Sequence, residues 1–167
     1  MSNGFACIGL SNPKNPENVG IILRAAGCYG VNSVFYSGQR YQKAREFMTN
    51  TQKVHERIPI IHSQDLRDSV PLGATVVAIE LVEGAKPLIE YEHPKNAFYV
   101  FGPEDGSLKD DVLAWCDDVV YIPTIGCMNL AATANVVLYD RMAKSGTADY
   151  SIERIRESQD TNNNTRV

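Results

Sequence analysis

The 167-residue chain has no C-x-x-C pair. Its four cysteines, Cys7, Cys28, Cys116 and Cys127, are scattered, and so are His55, His62 and His93. That spread excludes the ligand spacing of a zinc site, and no metal is expected. It fits reduced thiols in a cytoplasmic protein better than a disulfide framework. No apolar run approaches the roughly 18 residues that a membrane span needs. The start, "MSNGFACIGL", carries no basic region ahead of its apolar stretch, so it reads as a first strand and not as a signal peptide. No G-x-G-x-x-G opens the first helical segment and no G-x-x-x-x-G-K-[ST] occurs, which weighs against a dinucleotide dehydrogenase and an NTPase. A nucleoside-like ligand stays open. The net charge of −4 argues against a broadly adhesive nucleic-acid binder, although it leaves room for a local basic patch.

What is present is an alternation of short β-rich runs with helical ones. "FACIGL" (5–10), "SVFYS" (33–37), "IPIIHS" (58–63), "ATVVAIEL" (74–81), "AFYVFG" (97–102) and "DVVYIP" (118–123) read as strands. "ATVVAIEL" and "AFYVFG" are nearly continuous apolar runs, as expected of strands covered on both faces. Val19, Ile22, Leu23 and Ala26 fall at helical spacing. A short helix is predicted over 64–70, another over 107–116, and a closing one from Asn129 to about Lys144. The stretch 38–57 is polar and basic, and 82–96 is a connection able to fold over a ligand. The expected fold class is therefore α/β, a mostly parallel sheet flanked by helices. One domain is expected over 1–147, followed by a partly disordered tail at 148–167 in which 151–157 can extend as a helix.

In such a sheet, ligands sit beyond the carboxyl ends of the strands. "SNPKNPENVG", "ELVEGAKP", "GPEDGSL" and "PTIGCMN" all fall there. Asn18 can cap the first helix or serve a site. Arg24 can be a surface arginine. Alternatively, because helical side chains lean toward the N-terminus, it can lie over Gly20 toward Asn18. Glu104 reads as a turn acid or as a site residue. Asn129 reads as the cap of the last helix. Cys127 is a small, semi-buried residue and a poor candidate nucleophile, having no adjacent histidine. The basic run Arg40, Lys43, Arg45, Lys53 and Arg57 is either a solvated face or a set of phosphate contacts, with Tyr41 available for stacking on RNA.

Together, three of these stretches resemble the SpoU–TrmH branch of the SPOUT RNA methyltransferases. "NPKNPENVGIILRAAGCYGV" is similar to the first motif, "FYVFGPEDGSL" to the second and "YIPTIGCMNLAATANVVLYD" to the third. The match spans residues 4 to about 144 and, in length, resembles the minimal TrmL-like members that modify a tRNA wobble ribose. The resemblance implies a deep C-terminal trefoil knot, a homodimer, bound S-adenosylmethionine, and 2′-O-methylation of a ribose in RNA, with tRNA favoured. It assigns Asn18, Arg24, Glu104 and Asn129 to the catalytic group. It assigns Ile79, Glu80, Leu81, Gly102, Ile122, Pro123, Gly126, Met128 and Leu130 to the cofactor. Cys127 stands where the family usually has serine, and "NLAATA" replaces its more usual "NLS". A thiol is a weak hydrogen-bonding group, so any orienting role of that hydroxyl is weakened here. The alternatives are an rRNA target, a SPOUT enzyme acting on a base nitrogen, and a catalytically silent RNA-binding protein. A guanidinium releases its proton only above about pH 12. Arg24 therefore suits holding the ribose and a phosphate better than acting as the base.

Overall fold

The computed structural model describes residues 4–46, 58–160, 162, 163 and 165. Along the chain run β1 (Ala6–Leu10), α1 (Pro16–Cys28), β2 (Ser33–Tyr36), α2 (Arg40–Glu46), β3 (Ile60–His62), β4 (Thr75–Ile79), β5 (Lys86–Pro87), β6 (Ala97–Phe101), α3 (Asp110–Leu113), β7 (Asp118–Tyr121), α4 (Leu130–Lys144) and α5 (Ile152–Ser158). The strands form one sheet in the order β3-β2-β1-β6-β4-β7-β5. Every pairing in it is parallel. The α/β expectation holds. All strands thus present their carboxyl ends at one rim, with β1, β6, β4 and β7 adjacent along it.

Alternation along each strand divides the core into two layers. Ile8, Leu10, Val77, Ile79, Tyr99, Phe101 and Val120 share one face with Val19, Ile22 and Leu23 of α1 and Leu130, Ala134, Val137 and Leu138 of α4. Cys7, Val76, Ala78, Phe98 and Val100 face the other way, against Leu66 and Leu108. Cover on both faces is why β4 and β6 read as nearly continuous apolar runs. The far half of α4 is tied to the sheet by polar groups. The Arg141 guanidinium donates to the carbonyls of Pro94 (2.6 Å) and Lys95 (2.8 Å). Buried His93 bridges the Tyr99 hydroxyl (2.6 Å) and Asp140 (2.9 Å).

Several elements differ from the sequence expectation. The helix predicted over 64–70 is a single 3-10 turn, Leu66–Ser69, capped by the Asp65 side chain. The helix predicted over 107–116 is only the four-residue α3. The connection 82–96 forms β5 and a 3-10 turn, Leu88–Glu90. Its Leu88 and Tyr91 are buried, Lys86 and Pro87 pair with β7 at the sheet edge, and none of residues 82–96 lines the cleft at the carboxyl rim. In the tail, Ser151 caps α5, which has no buried residue.

The basic stretch contains α2, which its charge concealed. Tyr41 is the anchor of that helix. It is 2% exposed, and its ring meets Tyr36 edge-on at 4.9 Å. Stacking on RNA is closed to a side chain buried in this way, so that expectation is corrected. Burial also pushes its phenol above the usual tyrosine range. Tyr41→Ala is expected to lower stability by about 3 kcal/mol in urea unfolding, and Tyr41→Phe by well under half of that. Equal losses would mean that the ring does not carry the packing.

Candidate active site

A cleft of about 450 Å³ opens at the rim, at the ends of β4, β6 and β7. Its walls come from Ile79, Glu80 and Leu81, from the loop that follows Phe101, and from the stretch between Tyr121 and α4. Of the nine residues assigned to a cofactor, Ile79, Glu80, Leu81, Gly102, Ile122, Gly126, Met128 and Leu130 line it. Pro123 does not line it, although both of its neighbours do. Phe101, Ser107, Tyr121 and Thr133 line it as well and were not anticipated. All four lie within the quoted motif stretches, so position along those motifs was the available signal.

Two glycines make the loops sit as they do. Gly126 has φ +95°, a conformation that side chains rarely adopt. At Gly102 a Cβ would stand 3.1 Å from the Leu108 nitrogen and 3.4 Å from Glu80 Oε2, so glycine admits the carboxylate behind it. Glu80 Oε2 accepts the Leu108 N–H at 2.7 Å, and Oε1 accepts the Leu81 N–H at 3.0 Å. One side chain therefore braces the loop after β6 against the end of β4. The third-motif loop is held more loosely. Among the described residues, its own hydrogen bond within 123–128 runs from the Thr124 hydroxyl to the Gly126 carbonyl (2.8 Å).

Behind the cleft, residues from three distant segments join in a relay. Asn129 caps α4, its Oδ1 accepting the N–H of Ala131 (2.9 Å) and of Ala132 (3.2 Å). Its Nδ2 donates to Asn18 Oδ1 at 3.1 Å. Asn18 Nδ2 then donates to Glu104 Oε1 at 3.2 Å. Glu104 also accepts the N–H of Lys14 (2.8 Å) and of Asn15 (3.0 Å). Asn18 is the buried polar side chain of α1 and does not cap it. Asn15 is the cap, accepting the Glu17 N–H, with Pro16 in the first helical turn. Burial alone pushes the Glu104 carboxyl up. The N–H groups of Asn15, Glu104 itself and Lys14, with the Asn18 amide, outweigh burial and hold it below the ordinary value.

Arg24 stands outside this relay. It lies six residues after Asn18, about 9 Å along the helix axis, and its side chain is exposed. The space over Gly20 is open, as anticipated. Among the described residues, however, Arg24 makes no hydrogen bond or ion pair and does not reach Asn18. It shares the exposed side of α1 with Ile21, and the exposed side of α4 carries Val136 and Tyr139.

The basic residues divide. Arg40 Nη1 donates to both carboxylate oxygens of Asp105 (3.0 and 2.8 Å), and its Nη2 donates to the Asn12 carbonyl (2.6 Å). It is a strut between α2 and the two site loops, which corrects its reading as a free phosphate contact. Its guanidinium holds the Asp105 carboxyl below the usual carboxylate range. Lys43 and Arg45 are exposed on α2. Lys53, with Arg57, lies outside the described residues. Cys127 is an exposed free thiol on the cleft wall, not the semi-buried residue expected from the sequence. Among the described residues no group of His, Cys, Asp and Glu could hold a metal, and no helix is long and apolar enough to cross a membrane.

Residues 6–139 match the model of the SpoU rRNA Methylase family, and the chain belongs to that family. The chain is 26% identical over 145 residues to the 23S rRNA (guanosine-2′-O-)-methyltransferase RlmB of Acinetobacter baylyi, a match covering 80% of this chain and 57% of that one. It is 25% identical over 138 residues to the tRNA (guanosine(18)-2′-O)-methyltransferase of Thermus thermophilus, covering 78% and 71%. The chain thus spans little more than half of the rRNA relative. Among solved structures, the SpoU methyltransferase AviRb of Streptomyces viridochromogenes, in complex with AdoMet, superposes with a TM-score of 0.71 at 19% identity, covering 89% of this chain and 61% of that one. A structure solved for the 2-OH methylation of C/U34 on tRNA gives 0.70 at 22% identity, covering 87% and 94%. The trefoil knot at the C-terminal helix is what this family implies for the chain.

The folded Glu104 carboxyl titrates below its unfolded value, so its contacts contribute stability above about pH 4.5 that is lost as pH falls through the folded value. Glu104→Gln should therefore flatten the acid side of the stability-versus-pH curve as well as lower stability at neutral pH. An unchanged acid limb in chemical unfolding would refute the assignment of those contacts. Asn129→Ala should cost about 1 kcal/mol through the lost cap alone, with more if the relay is severed, read in the same unfolding series.

Proposed function

We propose that this protein is an S-adenosylmethionine-dependent RNA methyltransferase that methylates a ribose 2′-oxygen, with tRNA the favoured substrate. The observation that carries the reading is the cleft itself. Residues of the second and third motifs wall it, and the Glu104–Asn18–Asn129 relay joins them to the first. Family membership and the 2′-O-methyltransferase names of the relatives support the same reading. The cofactor residues fit the donor: Ile79, Phe101, Ile122 and Leu130 offer apolar contact to an adenine, the loop 123–128 offers main-chain groups, and Glu80 offers a carboxylate to a cationic ligand. When bound, that cofactor supplies an electrophilic methyl group.

The chain's own residues then hold and orient. Glu104 and Asn18 fix the start of α1 against the loop after β6. Asn129 fixes the mouth of the third-motif loop. Arg24 holds the ribose and a neighbouring phosphate through paired N–H donors and stabilises negative charge developing on the 2′-oxygen. Alignment of that oxygen supplies much of the acceleration. Lys43 and Arg45 extend the positive surface along α2 for the RNA backbone. The chain works as a homodimer through the exposed side of α1, which carries Ile21 and Arg24, and that of α4, which carries Val136 and Tyr139; in such a dimer Arg24 stands at the subunit boundary. Residues 1–147 form the methyltransferase unit, 148–167 an appended tail, and the protein acts in the cytoplasm.

Arg24→Ala should lower methyl transfer to the cognate RNA at least 100-fold while leaving S-adenosylmethionine affinity within about twofold, read by labelled-methyl incorporation and calorimetry. Near-normal turnover would remove Arg24 from the site. Cys127→Ser should retain activity. Nucleoside mass spectrometry of tRNA and rRNA from cells with and without the gene decides the product. Loss of a 2′-O-methylated nucleoside from tRNA supports the reading, and loss from rRNA or of a base-methylated nucleoside corrects it.

A further inference from the structure

We propose that Glu80 makes the cleft discriminate by charge, holding the cationic methyl donor more tightly than the neutral thioether that remains after transfer. The inference rests on the reading of the cleft as the S-adenosylmethionine site. It starts from an imbalance in the lining. The walls include two carboxylates, Glu80 and Glu104, and no lysine, arginine or histidine. Neither acid makes an ion pair among the described residues, whereas neighbouring Asp105 pairs with Arg40 (2.8 Å) and Lys14 (3.5 Å). The outward acid is neutralised and the two inward acids are not.

The two differ in what they have left to offer. A carboxylate has about four acceptor positions. Glu104 already accepts three N–H groups, those of Lys14 and Asn15 and one from the Asn18 amide, two of them on Oε1. Glu80 accepts one N–H on each oxygen, from Leu81 and from Leu108, which leaves one position on each. Its backbone is fixed as well, because its N–H donates to the Val120 carbonyl at 3.0 Å. Glu80 is thus a rigid, uncompensated negative charge on the cleft wall with capacity to spare.

The ligand before and after reaction differs by one positive charge. S-adenosylmethionine carries a sulfonium, an ammonium and a carboxylate. On transfer the sulfur–methyl bond breaks, a methyl–oxygen bond forms, the sulfur keeps the bonding pair and the 2′-hydroxyl proton leaves. The remaining thioether is neutral at sulfur. At a few ångströms and the dielectric of a partly open cleft, one such charge near an unpaired carboxylate is worth about tenfold in affinity. Glu80 therefore biases the cleft toward releasing product and rebinding donor.

Calorimetry on the full-length protein tests this with three ligands: S-adenosylmethionine, S-adenosylhomocysteine, and sinefungin, which carries an amine-bearing carbon in place of the sulfonium. Wild-type protein should bind the two cationic ligands about tenfold more tightly than S-adenosylhomocysteine. Glu80→Gln, which keeps the shape and one acceptor, should lose most of that ratio with little change for the neutral ligand. If the variant weakens all three ligands equally, Glu80 only braces the Leu108 loop and the proposal fails. If wild-type protein binds S-adenosylhomocysteine as tightly as the two cations, it fails without recourse to any variant. Absence of binding by all three to wild-type protein overturns the cofactor reading itself, a result separable from the other two.

Discussion

The chain of amides from Asn129 through Asn18 to Glu104 is the interaction on which the rest of the site depends. Its members lie 111 and 86 residues apart in sequence. Its direction is set at both ends. Capping α4 commits the Asn129 oxygen, which turns its NH₂ toward Asn18. Asn18 must then accept with its oxygen and present its own NH₂ to the carboxylate. A carboxylate at either asparagine would have nothing to donate. Helix α4, helix α1 and the loop after β6 are thereby registered against one another by three side chains.

Around this relay the charged residues are used chiefly as structure. Glu104 and Asp105 are adjacent and point to different tasks, one collecting N–H groups at the start of α1 and the other holding Arg40. Arg141 and Lys144 spend their donors on carbonyls of the segments 88–95. The positive charges left outward on the described surface near the site are few, among them Arg24, Lys43 and Arg45. An acidic protein can present a small basic face when its other cations are turned inward, and composition alone conceals that division.

How much of this was legible follows from what each signal measures. The central strands were legible because both faces of the sheet are covered there, which writes burial into consecutive residues, and the predicted strands overran the ladder by one or two positions at their ends; the two-residue β5, lying in a charged and proline-bearing connection, was not legible as a strand. Helix α2 was hidden because charge was read where a single buried tyrosine decides the packing. Pro16 could have identified Asn15 as the cap of α1, since proline favours the first helical turn, and would have released Asn18 for another role. The cleft residues were found by likeness of motif. The relay was not readable from spacing, because nothing local tells which asparagine oxygen is already committed. Nor could the sequence show that Arg24 stays outside it, a matter of side-chain reach along a helix.

One small element bears on how copies of this chain can meet. At one margin of the sheet stands β5, two residues long, Lys86 and Pro87. Proline has no N–H to offer a further strand, and lysine brings a charge to the border, here paired with Asp118 at 2.5 Å. The opposite margin, β3, is only three residues long. A sheet ended in these ways gives little template for edge-to-edge growth, so it resists the filament-like association to which an all-parallel sheet with long open borders would be prone, and it leaves the helical flanks as the surfaces on which assembly can be specific.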